Sequence, residues 1–199
     1  MKTLLLFVTI LIWNFNGSPA FSDTQKLTVA GGCFWCVEAD FEAVNGVSNV
    51  VSGYMGGNGY YEVVEIDFDP GIVTREELMK LFVRSIDPTD DGGQFCDRGQ
   101  RYRTAIFTNG RKEKALAENV LNEAQQILGQ KVVTSILPVT SFRKARRGHQ
   151  DYYKGENTVL TRFGLIKQSD SYKLYRKGCG RDARVLELWG DQAAFAKFH

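Results

Sequence analysis

The chain has 199 residues, of which 43% are hydrophobic, 24% charged and 12% aromatic; that balance supports one folded domain with a sizeable core and excludes a disordered or fibrous chain. Twenty-five basic against twenty-three acidic side chains leave a formal charge of +2, too even to expect a nucleic-acid partner. Four cysteines are too few and too scattered for a disulfide scaffold, so each needs a chemical reading.

Residues 1–22 read as a secretory signal. Lys2 precedes the apolar run Leu4 to Trp13, which is too short to span a bilayer comfortably, and Ser18, Ala20 and Ser22 supply small residues at the cleavage positions. Lys2 is the only charged side chain among the first twenty, so its removal lowers the formal charge from +2 to +1. The expectation is an exported, periplasmic protein in which disulfides persist, with no membrane association after cleavage. Residues 23–199 are expected to form a single domain and a monomer.

Lys26 to Ala30 predicts a strand that runs into Gly31-Gly32. Val37, Phe41 and Val44 follow at helical spacing from Trp35 to Val44, until Asn45-Gly46 stops the helix. Val47 to Tyr54 and Tyr61 to Phe68 predict two strands around Gly56-Gly57-Asn58-Gly59. Thr74 and Glu77 form a capping box for a helix reaching about Arg84. A glycine-rich loop, Asp87 to Gly99, leads to a strand near Tyr102 to Thr108, a helix from Lys112 to Leu128, and a strand near Val132 to Pro138. The order β-α-β-β-α-β predicts an α+β fold, a two-layer sandwich with a ferredoxin-like core. The remainder reads as an irregular C-terminal tail around Gly178-Cys179-Gly180.

The densest chemistry is Gly31-Gly32-Cys33-Phe34-Trp35-Cys36. Two glycines release the backbone from the strand, and Cys33 then opens a helix, where free N–H groups and the macrodipole favour a thiolate. Phe34 and Trp35 are placed to wall an apolar pocket.

Gly32-Cys33-Phe34-Trp35 resembles the nucleophile signature of the A-type peptide methionine sulfoxide reductases. The resemblance continues, in order, through Gly53-Tyr54-Met55-Gly56-Gly57, Tyr61-Glu62-Val63-Val64 with Asp69-Pro70, and Asp87-Pro88-Thr89. It then takes in Gln94, Asp97-Arg98-Gly99, Tyr102 to Phe107, and His149-Gln150. It implies reduction of the S epimer of methionine sulfoxide, free or in oxidised proteins, with Cys33 as nucleophile and a sulfenic acid as intermediate. It also implies Glu62 as the acid, Tyr102 and Asp97 as further catalytic groups, and Phe34 and Trp35 as the substrate-methyl site. A second thiol then resolves the sulfenic acid, and a thioredoxin-like dithiol reduces the disulfide. No cofactor or metal is implied.

Three features depart from the resemblance or stay open. Family members carry a longer insertion between the Gly-Gly turn and the glutamate, which supplies another active-site tyrosine; here only Asn58-Gly59-Tyr60-Tyr61 intervene, and Tyr60 is the candidate replacement hydroxyl. The run Arg143-Lys144-Ala145-Arg146-Arg147 replaces a usually acidic, aromatic stretch, and reads either as a solvated face or as a site for an acidic partner or peptide. Cys179 is the favoured resolving thiol, then Cys36, while Cys96 adjoins Asp97. Rival readings are a general thiol–disulfide oxidoreductase using Cys33 and Cys36, a structural Cys₄ zinc site, and a degenerate member that binds oxidised methionine without reducing it.

Overall fold

The computed structural model describes residues 23–57 and 60–197, so the expected signal segment lies outside the described residues. β1 (Gln25–Gly31) turns into α1 (Phe34–Glu42), and β2 (Val47–Met55) and β3 (Tyr61–Phe68) pair antiparallel. α2 (Arg75–Val83) opens with the expected capping box, in which the Thr74 hydroxyl accepts from the Glu77 N–H at 3.2 Å and the Glu77 carboxylate accepts from the Thr74 N–H at 2.7 Å. Next come a small ribbon of β4 (Gly93–Gln94) and β5 (Asp97–Arg98), then β6 (Thr104–Thr108), α3 (Gly110–Leu128) and β7 (Ser135–Pro138). The chain continues through β8 (Arg143–Lys144), the hairpin of β9 (Thr158–Thr161) and β10 (Gly164–Lys167), α4 (Gln168–Gly178) and α5 (Arg181–Trp189).

The main sheet has the order β7-β6-β1-β3-β2-β8. Its centre, β6-β1-β3-β2, is the fourth-first-third-second order of the expected ferredoxin-like core, with β7 added parallel to β6 at one edge and β8 antiparallel to β2 at the other. Strand alternation divides the core into two clusters. Val29, Val64, Ile66 and Ile106 pack with Phe41, Leu78, Phe82 and Val120 from the helices, while Ala30, Val63, Ala105 and Phe107 pack on the opposite face. Full burial of each large side chain here is worth roughly 1.5–3 kcal/mol.

The expected irregular tail is corrected: beyond β7 the chain forms two helices whose arginines point inward. Arg176 is bound at 2.9 Å to Asp40 of α1 and at 2.7 Å to Asp182. Arg181, 2% exposed, donates at 3.1 Å to the carbonyls of both Gly31 and Ser85. α4 and α5 are therefore fastened to the turn that presents Cys33. Among the described residues no helix is long and apolar enough to cross a membrane.

Candidate active site

Gly32 has φ +83°, and a Cβ there would lie 2.6 Å from the Cβ of Gln94, so this backbone and this approach both require glycine. Gln94 is fully buried. Its amide donates at 2.8 Å to the carbonyls of Asp87 and Gly93 and accepts at 2.9 Å from the Asp87 N–H. Phe95 and Cys96 form the tip of the β4–β5 ribbon, and Asp97 follows into the pocket that holds Cys33. One close glycine contact thus brings two separate loops together.

Cys33 occupies the N-cap of α1, and the first helical N–H, that of Phe34, donates to the Glu62 carboxylate at 3.3 Å. Glu62 reaches this point from β3, paired opposite Tyr54 of β2. A pocket of about 390 Å³ collects Cys33, Glu62, Asp97 and Tyr102, walled by Phe34, Trp35 and Tyr54. Arg101, His149 and Tyr175 complete its lining. Trp35 is itself clamped, stacked on Tyr152 at 3.8 Å and on His149 at 5.7 Å. A larger recess of about 760 Å³ lies beside Tyr172 and Arg176, but none of the four reactive groups lines it.

Tyr60 does not line the catalytic pocket. It lies 42% exposed in an adjoining recess with Tyr54 and Arg143, its ring 5.6 Å from that of Tyr54. Beside Tyr54 and Tyr102, Tyr175 also lines the pocket, and its hydroxyl donates to the Asp97 carboxylate from α4. A helix in the tail, with Tyr175 one turn before Cys179, would have been the signal for it.

Burial raises Glu62 to about 7, against the opposing hydrogen bond from Phe34 and the charge of Arg101. Burial also raises Asp97, opposed by Tyr175, and lifts Tyr102 to about 12, with the Glu62 and Asp97 charges adding to the shift. Cys33 departs from the expected acidic thiol: burial, then its hydrogen bond with Cys36 and the nearby Glu62 and Asp97 charges, push it well up. The hydrogen bond from Cys33 lowers Cys36, with Arg181 and Arg176 helping and burial opposing. At Cys33 desolvation opposes the helix end, so burial and the helix terminus act on the thiol in opposite directions.

Cys36 is thus the thiol in contact with Cys33, and both are free and buried. Cys179, expected to swing onto Cys33, is bonded to Cys96 with Cα atoms 4.9 Å apart. The helical tail places it on the β4–β5 tip, and the same pairing takes two of the four sulfurs that a Cys₄ zinc site would need.

The sequence pattern of the peptide methionine sulfoxide reductase family matches residues 25–178. The chain belongs to that family. A peptide methionine sulfoxide reductase MsrA 2 of Caulobacter vibrioides is 35% identical over 95% of this chain and 98% of its own. The Rhizobium meliloti MsrA 2 is 41% identical, covering 86% of this chain and 87% of its own. Reduced Mxr1 of Saccharomyces cerevisiae superposes with a TM-score of 0.64 at 25% identity, over 75% of this chain and 94% of that one. A further Mxr1 structure, in complex with Trx2, gives 0.51 at 26% identity over 68% and 87%. This reductase is an enzyme that reduces methionine sulfoxide, and one pocket brings the Cys33 sulfur together with the Glu62 carboxyl.

Proposed function

We propose that the chain reduces the S epimer of methionine sulfoxide with Cys33 as nucleophile and Glu62 as the acid. The observation that carries this reading is that Cys33 and a carboxyl raised to about 7 line the same pocket. A sulfoxide oxygen leaves its sulfur only when protonated, and a carboxyl that keeps its proton near neutral pH can supply it. The Cys33 sulfur supplies two electrons, the substrate S–O bond breaks, and the products are methionine and a Cys33 sulfenic acid. The thiol's proton goes back to Glu62, so the sum is one thiol plus one sulfoxide giving one sulfenic acid plus one thioether. Tyr102 donates to the sulfoxide oxygen, and Asp97, braced by Tyr175, orients it.

Phe34 and Trp35 hold the methyl group, a contact worth roughly 1 kcal/mol. With the methyl wall and the oxygen donors fixed, only one sulfur configuration satisfies both. Cys36 then attacks the sulfenic sulfur, a Cys33–Cys36 disulfide forms, and water leaves. An external dithiol returns the pair to thiols and is itself oxidised. The Mxr1–Trx2 complex supports a thioredoxin-like donor for this step.

The apolar run and small residues of 1–22 support export to the periplasm, where we expect the protein to act as a monomer. N-terminal sequencing of the fractionated protein and its sedimentation would check both.

The test of the reaction is turnover on separated S and R epimers of a blocked methionine sulfoxide, with dithiothreitol as reductant. Consumption of the S epimer alone, abolished in Cys33→Ser and reduced in Glu62→Gln, is the expected result. A Glu62→Gln protein as fast as wild type would remove the acid role.

A further inference from the structure

The basic run Arg143–Arg147 is not a solvated face remote from the chemistry. β8 pairs with β2 so that Arg143 lies opposite Tyr54, and the close packing depends on Gly53, where a Cβ would be 2.4 Å from the Phe142 ring and 2.8 Å from the Arg143 carbonyl. Gln150 locks the following turn to the same strand: its amide group donates to Ser52 and Ala145 carbonyls at 2.9 and 3.1 Å, and its oxygen accepts from the Ser52 N–H at 3.2 Å. Arg143 and Arg146 are thereby carried to the rim of the catalytic pocket.

They meet Arg101 there. A recess of about 240 Å³ is lined by Tyr54, Tyr60, Arg101, Arg143, Arg146 and His149. Tyr54, Arg101 and His149 line the catalytic pocket as well, so the two spaces adjoin. The Arg143 guanidinium lies 4.4 Å from the Tyr54 ring centre, and that of Arg101 lies 4.9 Å from the Tyr60 ring centre. Aromatic faces hold a guanidinium plane in place while leaving its charge and edge N–H groups available. Among the described residues the arginines in ion pairs are Arg75, Arg84, Arg98, Arg176, Arg181 and Arg184, and none of these three.

We propose that this recess is a carboxylate subsite that selects methionine sulfoxide flanked by acidic residues in a polypeptide. The inference rests on the sulfoxide-reductase reading of the adjoining pocket and names the substrates that pocket prefers. Three guanidiniums that stand outside the ion pairs of the described residues favour a carboxylate in bidentate geometry and repel a lysine at the same position. A carboxylate can come from a flanking Asp or Glu side chain or from the α-carboxylate of the free amino acid. The position suits the first: the recess adjoins the pocket walled by Phe34 and Trp35, and Tyr60, Arg101, Arg143 and Arg146 in its lining are exposed to a passing chain.

The experiment compares blocked tripeptides X-Met(O)-X with X as Glu, Ala or Lys, together with free methionine sulfoxide and its amide. We expect kcat/KM to fall in the order Glu, Ala, Lys, by roughly three- to tenfold across the series and chiefly through KM. That spread should shrink as salt rises, since exposed charges are screened. The double variant Arg143→Gln/Arg146→Gln should bring the Glu-to-Lys ratio close to one, while Lys131→Gln, outside both spaces, should preserve it. Equal kcat/KM for all three peptides, or a ratio that survives the double variant, would overturn the subsite. A free acid preferred over its amide while the Glu and Lys peptides tie would overturn the flanking-residue assignment. Fluorophore-labelled peptides binding to the Cys33→Ser protein read the same preference without turnover. Loss of turnover in the wild type with that preference intact counts against the reaction and supports the subsite.

Discussion

Tyr175 of α4 donates a hydrogen bond to the Asp97 carboxylate, and Cys179, four residues after Tyr175, is joined covalently to Cys96, the residue before Asp97. Cys96 and Asp97 are neighbours on the ribbon, while the Cys179 N–H donates to the Tyr175 carbonyl at 2.9 Å across one helical turn. One turn of helix thus grips one loop twice, and the outcome is a fixed Asp97 in the pocket with Cys33. Tyr175→Phe removes one grip and leaves a half-buried carboxylate short of a donor. A hydrogen bond to a charged group is worth about 1.5–3 kcal/mol, so kcat/KM should fall roughly tenfold or more. Steady-state rates on a blocked S-sulfoxide check it, and a Tyr175→Phe enzyme with wild-type kcat/KM would show Asp97 needs no such brace.

The contact between Cys33 and Cys36 leads to a prediction about resolution. Pre-reduced Cys36→Ser protein mixed with excess substrate should release one methionine per chain. It should also leave a Cys33 sulfenic acid that a 1,3-diketone reagent traps. The Cys96→Ser/Cys179→Ser double variant should still close a Cys33–Cys36 disulfide, seen by mass after thiol alkylation. It should unfold more easily, because a disulfide closing a loop of this length contributes about 2–4 kcal/mol. Failure of the double variant to form any disulfide would return the resolving role to Cys179.

The core of the fold was legible because its signals are local. Thr74 and Glu77 announce a helix start, and Tyr61 to Phe68 alternates with period two; both are found as expected. The C-terminal helices were not legible, since α4 and α5 are rich in charged residues and their inward-facing groups are arginines, which sequence reading assigns to solvent. Arg176 and Arg181 become core residues only through Asp40 and the Gly31 carbonyl, 136 and 150 positions away. The site divided in the same way. Cys33, Glu62, Asp97 and Tyr102 came from ordered motifs, and they do share a pocket. Tyr175 was missed because its helix was missed. At Cys33 the sequence shows the helix N-terminus and not the burial that opposes it.

Activity should carry the signature of Glu62. Its carboxyl is raised to about 7, so the protonated acid is abundant at pH 6 and scarce at pH 8. Single-turnover methionine release by pre-reduced enzyme, which removes the reductant's own titration, should lose its acid limb as pH rises through 7. Glu62→Gln should abolish that limb and slow release by about 10²–10⁴-fold, the range for loss of a general acid. A Glu62→Gln profile with the same inflection would assign it to another group.

Stability should respond to Glu38, a group remote from the reaction. It is 1% exposed on α1, its Oε2 has no hydrogen-bond partner among the described residues, and burial raises it to about 7, against hydrogen bonds from the Asp151 backbone and Ser52. The folded pKa lies above the unfolded one, so between roughly pH 4.5 and 7 the folded chain holds a proton that the unfolded chain has lost. The resulting stability is fully present below the unfolded pKa and is lost as pH rises through 7, a change on the order of 3 kcal/mol. Glu38→Gln carries the neutral form at every pH, and its amide N–H groups can face the Glu42 and Asp151 carboxylates that cluster there. The variant should match wild type in urea unfolding at pH 5 and exceed it at pH 8 by an amount of that order, with Glu62→Gln behaving similarly. Equal midpoints at pH 8 would mean that Glu38 is ionised at little cost, its charge met by Lys154, which already bridges Glu42 at 2.5 Å and Asp151 at 2.8 Å.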